Sequence, residues 1–334
     1  MAITLTQMRV GMSDKVAQQV VDAFIRHSEI LELLPFDNCM SPGGNGSTLL
    51  YGYTQKKLPS ATAFRALNTE YAKSEATVEA KQAELKIFGG AFSIDRVIHQ
   101  AEGLYNNLAY QIEEKVISAI GTFHNAMING DTAVDANSFD GLDKFLVGQD
   151  TEIGTDSVID LSTMEKLKEN ADLFYEALLT LINKTGAHAI MVNSSMKTKI
   201  QTVARILGYK TETEEAFGRT ITKIDKVRII DLGNVVTVDG EGDEATAVET
   251  PVIAIKTRQV GGTSTSGVTD IYAVKFDVND GFHGVTLTGD KAIHQYLPDF
   301  NTPGAVKTGE VEMTACVVLK NVKSAGVLRN VKIL

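Results

Sequence analysis

Cysteine is nearly missing from this chain: Cys39 and Cys316 are the two in 334 residues. That excludes a disulfide framework and a cysteine-ligated zinc site, and leaves two reduced thiols as the expectation. Long apolar runs are missing as well. The longest, such as residues 315–319, are a few residues long, against the roughly 20 that a membrane-crossing helix needs. The first six residues, Met-Ala-Ile-Thr-Leu-Thr, lack the basic head and apolar stretch of a signal peptide. Clustered cations are absent too: no Lys/Arg run exceeds the pair Lys56-Lys57, and the formal net charge is −10. A protein that grips nucleic acid or an anionic membrane neutralises phosphates with clustered cations, so the sequence argues against both roles. An acidic protein can still live beside DNA if its task is not to stick to it.

What is present is an ordinary folding composition. Hydrophobic residues make up 43% and charged residues 22%, enough to bury a core and too apolar for general disorder. The length predicts about two domains, or one large one with insertions. Residues 13–34 read as a helix capped by Ser13, with Val16, Val20 and Phe24 on one stripe and Pro35 as its stop. A breaker cluster at 39–47 precedes a strand at 48–53. Residues 54–75 have no clear period, and a segment of that kind is usually functional or else folds against something external. Residues 76–88 look extended, and Gly89-Gly90 reads as a break.

The longest helical pattern follows. From a cap at Ser93, apolar residues recur at Val97, Ala101, Leu104, Leu108, Ile112, Val116, Ile120, Phe123 and Met127. Every step is three or four, so one face stays apolar for about 35 residues, roughly nine turns. After an aromatic turn at 139–142 comes a second helix, with Leu167, Ala171, Phe174, Leu178 and Ile182 on one face and Gly186 at its end. A buried strand at 189–192 and a helix capped by Asn193 or Ser194 complete an α/β or α+β subdomain. Beyond it the chain reads as an acidic loop at 211–219 and strands at 227–232, 235–238, 252–255, 271–276, 311–319 and 327–334. An acidic insert at 239–249 and a Gly/Ser/Thr loop at 261–267 interrupt them.

Catalytic motifs fail on detail. Gly43-Gly-Asn-Gly46 lacks the Gly-Lys-Ser/Thr ending of a phosphate loop and the helix that should follow it. The segment 262–267 resembles a nucleophile elbow with its closing glycine displaced. The six histidines include no i, i+4 metal pair, and the Asp239-x-Glu241-x-Asp243 spacing lacks the Gly and Glu of a calcium loop. Asp95, Glu102, Glu113 and Glu114 read as the solvated face of the long helix. No catalytic, cofactor or metal residues are assigned, and the chain is read as a structural protein rather than an enzyme.

The order of these segments resembles the Hong Kong 97-type major capsid proteins of tailed bacteriophages, over essentially the whole chain. The carrying features are the N-terminal arm and helix, the long extension at 48–74, the strand at 77–88 and Gly89-Gly-Ala-Phe-Ser-Ile-Asp-Arg96 leading into a long helix. They continue with the Phe139-Asp-Gly-Leu142 turn, the helix–Ala189-Ile-Met-Val-Asn193–helix run, Asp270-Ile-Tyr-Ala-Val-Lys-Phe276 and the closing strand at 310–319. The resemblance implies an α+β fold with an N-arm (1–44), an E-loop (45–75), a P-domain with a spine helix (76–145 plus 300–334) and an A-domain (146–299). It implies copies joined as hexamers and pentamers in an icosahedral shell around double-stranded DNA in the virion, assembled in the host bacterial cytoplasm.

The implied interface residues are Tyr51, Tyr53, Lys57, Phe64 and Arg65 in the E-loop and Arg9 and Lys15 in the arm. Glu212, Glu214 and Glu215 would lie around the capsomer axis. An arm beginning at Met1 leads us to expect a separate scaffolding protein. A portal, and in some relatives a decoration protein, are further partners, while packaged DNA would be touched only weakly and no membrane is involved. Some relatives cross-link Lys to Asn, for which Lys56 or Lys57 with Asn321 or Asn330 are the candidates, though no signal selects them. The alternative is an encapsulin-type compartment enclosing a cargo enzyme. A third reading, an α/β enzyme with its site at 186–208, would need convergent polar residues that the sequence does not offer.

Overall fold

The structure is a computed structural model that describes residues 28–39, 48–58, 60–101, 107–209, 212–216, 219–224, 226–239, 246–287 and 293–334. In chain order, helix α1 (Glu29–Leu33) and strand β1 (Phe36–Asn38) lead to β2 (Leu50–Leu58), β3 (Thr77–Glu84) and β4 (Lys86–Asp95). Helices α2 (Arg96–Ala101), α3 (Asn107–Asn129) and α4 (Leu142–Leu146) follow, then β5 (Glu152–Ile153) and β6 (Ile159–Asp160). The middle of the chain is α5 (Met164–Glu169), α6 (Ala171–Thr185), β7 (Ala189–Val192) and α7 (Ser194–Ile206). Strands then dominate: β8 (Glu212–Ala216), β9 (Arg219–Ile224), β10 (Val227–Asp231), β11 (Asn234–Asp239), β12 (Thr246–Pro251), β13 (Lys256–Val260) and β14 (Thr263–Val274). The last are β15 (Phe282–Thr286), β16 (Ile293–Tyr296), β17 (Val306–Leu319) and β18 (Ala325–Lys332).

These strands make two sheets and two separate ribbons. The first sheet is organised by β17. Along one edge it pairs with β4 from Val306 to Ala315, and along the other with β16 and then β15, which in turn carries β1. The face of α3 bearing Val116, Ile120, Phe123 and Met127 joins the same buried core as Met313, Ala315 and Val317. The second sheet has β18 and β14 at its centre, β7, β10, β9 and β8 on one side, and β5 and β6 against β18. Helices α6 and α7 cover it, burying Phe174, Leu178, Met196, Ile200 and Val203 with Ile190, Ile229, Ile271 and Leu328. Each such side chain contributes about 1.5–3 kcal/mol on burial, so the two cores hold the fold.

Several local readings need correction. The helix expected over 13–34 is not continuous: Ser28 is extended (φ −135°, ψ 115°) and its hydroxyl caps α1 by accepting from Leu31 N. Residues 1–27, with the cap at Ser13, lie outside the described residues. The strand begun near Thr48 runs on to Leu58, so the patternless stretch is shorter than 54–75. Gly89-Gly90 is no break. Both residues lie inside β4, paired with Glu312 and Val311, and a Cβ on Gly89 would stand 2.1 Å from Val311 O. Close strand approach explains that glycine.

Ser93 is likewise in β4, and the cap is Asp95, whose carboxylate accepts from Val97 N at 2.7 Å. The spine pattern appears as α2 and α3, with 102–106 outside the described residues. The helix after Asp160 is two helices that meet at Asn170. The acidic loop at 211–219 is largely strand, with Glu212 to Ala216 paired to β9. The 252–255 segment is buried at Val252 and Ile253 but is not strand. The loop at 261–267 reduces to a turn at Gly261-Gly262 (φ +55° and +82°), from which β14 begins at Thr263. The expectations at 186 and 193 match: Gly186 closes α6 in the left-handed region, and Asn193 caps α7 through Met196 N at 2.8 Å.

Candidate self-assembly surface

Strands β2 and β3 form a two-stranded ribbon, paired from Leu50↔Glu84 to Leu58↔Thr77 and joined by the long excursion between them. Its root is bound to the chain's own first sheet. The Tyr51 hydroxyl donates to Asp37 Oδ2 at 2.7 Å, and its ring meets His283 edge-on at 6.1 Å and Tyr53 stacked at 6.2 Å. The Lys320 ammonium stands over the Tyr51 ring, 5.5 Å from its centre. Gln55 Nε2 donates to Leu319 O at 2.9 Å. Burial raises the Tyr51 phenol, and the Asp37 carboxylate raises it further; burial pushes Tyr53 up to about 12. Both phenols stay neutral. His283 is lowered to about 4 by burial and by Lys320.

Lys56 and Asn321, from two different parts of the chain, meet on one carboxylate. Lys56 Nζ is 3.1 Å from Asp280 Oδ1, and Asn321 Nδ2 lies 3.2 Å and 3.3 Å from the two oxygens. Asn330, the other asparagine considered, is committed elsewhere: its amide donates to Gly154 O and Thr155 O, both at 3.0 Å. A cleft of about 670 Å³ opens beside Lys56, between the ribbon and residues 149–151 and 321–323.

The ribbon's far end is different in kind. Phe64 is fully exposed, Leu67 is 88% exposed and Tyr71 is 63% exposed. Arg65 lies over the Tyr71 ring at 5.1 Å and donates to Thr69 O at 3.2 Å, which shapes the tip without covering it. An apolar group of this size standing clear of its own core marks a contact surface.

The sequence-predicted interface residues therefore fall into three groups. Tyr51 and Tyr53 sit at the root against the chain's own sheet, whereas Phe64 and Arg65 sit at the tip. Lys57 is in β2, but its side chain lies outside the described residues, as do Arg9 and Lys15 altogether. Glu212, Glu214 and Glu215 lie on β8, the end strand of the second sheet, with their side chains outside the description. Leu67 and Tyr71 are legible in the sequence beside Phe64, as apolar residues of the same polar segment. Sequence reading missed the buried ion cluster of the second sheet. There Arg258 grips Asp270 with two bonds of 2.6 Å, and Arg329 bridges Asp270 (3.2 Å), Glu152 (2.8 Å) and Asp143. Burial raises the Asp270 carboxyl, but Arg258 and Arg329 outweigh it and hold it below the usual range.

Among the described residues no group of three or more His, Cys, Asp or Glu side chains could hold a metal ion. Among them, too, no helix is long and apolar enough to cross a membrane. Cys39 and Cys316 are both buried and free, and burial pushes the Cys316 thiol up to about 12, so it is an unreactive thiol.

No protein-family model matches this sequence, and none of the curated proteins compared matches it. Solved structures do. The holo-SrpI encapsulin complex from Synechococcus elongatus PCC 7942 aligns with a TM-score of 0.58 at 11% identity, covering 99% of this chain and 96% of that one. The structure of Mycobacterium phage Bobi gives 0.54 at 10% identity over 90% of both chains. The capsid of the native GTA particle gives 0.52 at 8% identity over 86% of both. These alignments run over 86% or more of each chain, and this chain has the α+β Hong Kong 97-type fold.

Proposed function

We propose that this chain is a non-enzymatic shell subunit, the major capsid protein of a tailed phage. In this reading its copies join as hexamers and pentamers into an icosahedral head around double-stranded DNA. The observation that carries the reading is the ribbon β2–β3: anchored at Tyr51 to its own sheet, it holds Phe64, Leu67 and Tyr71 away from every core of its own chain. A monomer has no use for such a surface, and a neighbouring copy does. Phe64 and Arg65 are the contacts made by the tip, with Lys57 beside them and Tyr51 and Tyr53 holding the root. Arg9 and Lys15 belong to the arm's contacts, and Glu212, Glu214 and Glu215 lie toward the capsomer axis on β8. The division into arm (1–44), E-loop (45–75), P-domain (76–145 plus 300–334) and A-domain (146–299) is part of the proposal. In it, Ala325–Lys332 serves the second sheet. A scaffolding protein, a portal and a decoration protein are the partners of this reading. The virion is its location, with assembly in the host bacterial cytoplasm.

A second reading has its own support: the SrpI encapsulin aligns over 99% of this chain. In that case the shell encloses a cargo enzyme. Negative-stain electron microscopy of the expressed chain, alone and with the product of a neighbouring scaffolding gene, tests both. Closed shells or capsomers support the proposal, and large heads that package nuclease-protected DNA select the phage reading. Small shells holding a protein select the compartment. A persistent monomer in every condition overturns both. Removal of residues 54–72 is expected to leave a soluble monomer that forms no shells.

A further inference from the structure

We propose, on the shell reading above, that an aromatic cleft at the end of α3 receives the ribbon tip of a second copy. Phe64 of that copy enters the cleft, and its Arg65 meets Asp135 at the rim.

The cleft has a volume of about 360 Å³ and lies between the start of β4, the last turns of α3 and the 131–139 loop. Three phenylalanines line it and pack on one another. Phe88 stacks on Phe123 with ring centres 5.7 Å apart, and Phe139 tilts against Phe123 at 5.9 Å. Phe123 and Phe139 are buried, whereas Phe88 and Ala126 are half-buried, so apolar surface faces the opening. Val134 stands 86% exposed at the rim. The wall is fixed before anything enters. Asp131 O accepts from Val134 N at 3.0 Å and from Asp135 N at 2.9 Å, and Lys144 ties Asp131 to Asp140 at 2.6 Å and 2.8 Å.

The charges around the opening leave one anion over. Asp131 is neutralised by Lys144, and Lys86 is paired with Glu84 at 2.7 Å. Asp135 has no cation partner among the described residues; its carboxylate accepts from Asn137 N at 2.9 Å. Arg65 is the matching cation. It donates to Ala66 O and Thr69 O and lies over the Tyr71 ring, and among the described residues no carboxylate pairs with it. An exposed aromatic beside a free guanidinium therefore complements an aromatic cleft beside a free carboxylate.

The chain's own tip is not the occupant. Phe64 is fully exposed in its own chain. Strand β3 is paired from Thr77 to Glu84 and leads into Lys86 at the cleft. Its seven steps of about 3.3 Å hold the base of the tip about 23 Å from the cleft end. Tip and cleft are also different patches of one chain, so their contact is heterologous. Contacts of that kind close rings when the rotation allows, as hexamers and pentamers require.

Charge reversal in the full chain tests the contact. Arg65→Asp and Asp135→Arg each change an exposed side chain, so each variant should unfold at the parent's temperature. Each should lower particle yield by about tenfold, and the double variant should recover the parent's yield to within about threefold. Hydrogen exchange is the second measurement: residues 62–68 and 132–138 should both slow by about tenfold when parent subunits assemble. Parent particles with no slowing at 132–138 overturn the inference and leave the shell reading standing. So do single reversals that assemble normally, or a double reversal as poor as the singles. A parent chain that forms no particle in any condition overturns the shell reading, and this inference with it.

Discussion

Tyr51 and Asp37 tie the β2–β3 ribbon to the first sheet: the phenol of a β2 residue donates at 2.7 Å to a carboxylate on β1, fourteen residues earlier. Replacing Tyr51 by Phe keeps the ring against His283 and removes the donor alone. The expected cost is about 1 kcal/mol, the ordinary net worth of such a bond. It should appear in urea unfolding and as faster exchange of the 50–58 amides, with no change at α6.

His124 gives the molecule an acid-sensitive joint. Burial lowers its folded value to about 4 from an ordinary 6.5, so between those values the unfolded chain binds the extra proton. Stability is complete above about pH 6.5 and falls as the pH drops toward 4, by roughly 3 kcal/mol from this group. Unfolding measured from pH 7 to 4 should show that loss, and His124→Gln should flatten the part of it that His124 supplies.

Asp270 holds two arginines inside the second sheet. Asp270→Asn leaves Arg258 and Arg329 without their shared carboxylate, and the expected loss is about 3–5 kcal/mol, the cost of breaking a buried pair. Denaturant midpoints check it. A loss below 1 kcal/mol would mean that Glu152 and Asp143 alone satisfy Arg329.

Phe64 and Leu67 make the opposite case. Both are exposed, so Phe64→Ser with Leu67→Ser should move unfolding by less than about 0.5 kcal/mol. Particle yield by light scattering should collapse all the same. Normal shells from this variant would remove the tip from the interface.

The parts of the fold that could be read from sequence are those whose signal is local. The stripe on α3, the Gly186 stop and the Asn193 cap each follow from residues within a few turns. The errors came where a distant strand decides the outcome. Gly89-Gly90 looks like a break until Val311, more than two hundred residues on, is placed against it. The tip of the candidate surface was legible because Phe64 and Tyr71 are apolar in a polar stretch. The ion cluster was not, because Glu152, Asp270 and Arg329 are separated by more than a hundred residues or by about sixty.

The place of β17 has a consequence for synthesis. Strands that include Phe36, Phe88, Phe282 and Ile293 all belong to a sheet whose central member spans Val306–Leu319, and Ala325–Lys332 is central to the other sheet. While the ribosome is still making the first three hundred residues, neither core can close. Helices can form early, and both sheets wait for residues 306–332. A nascent chain that has not yet reached them therefore carries its apolar faces without a finished core to bury them.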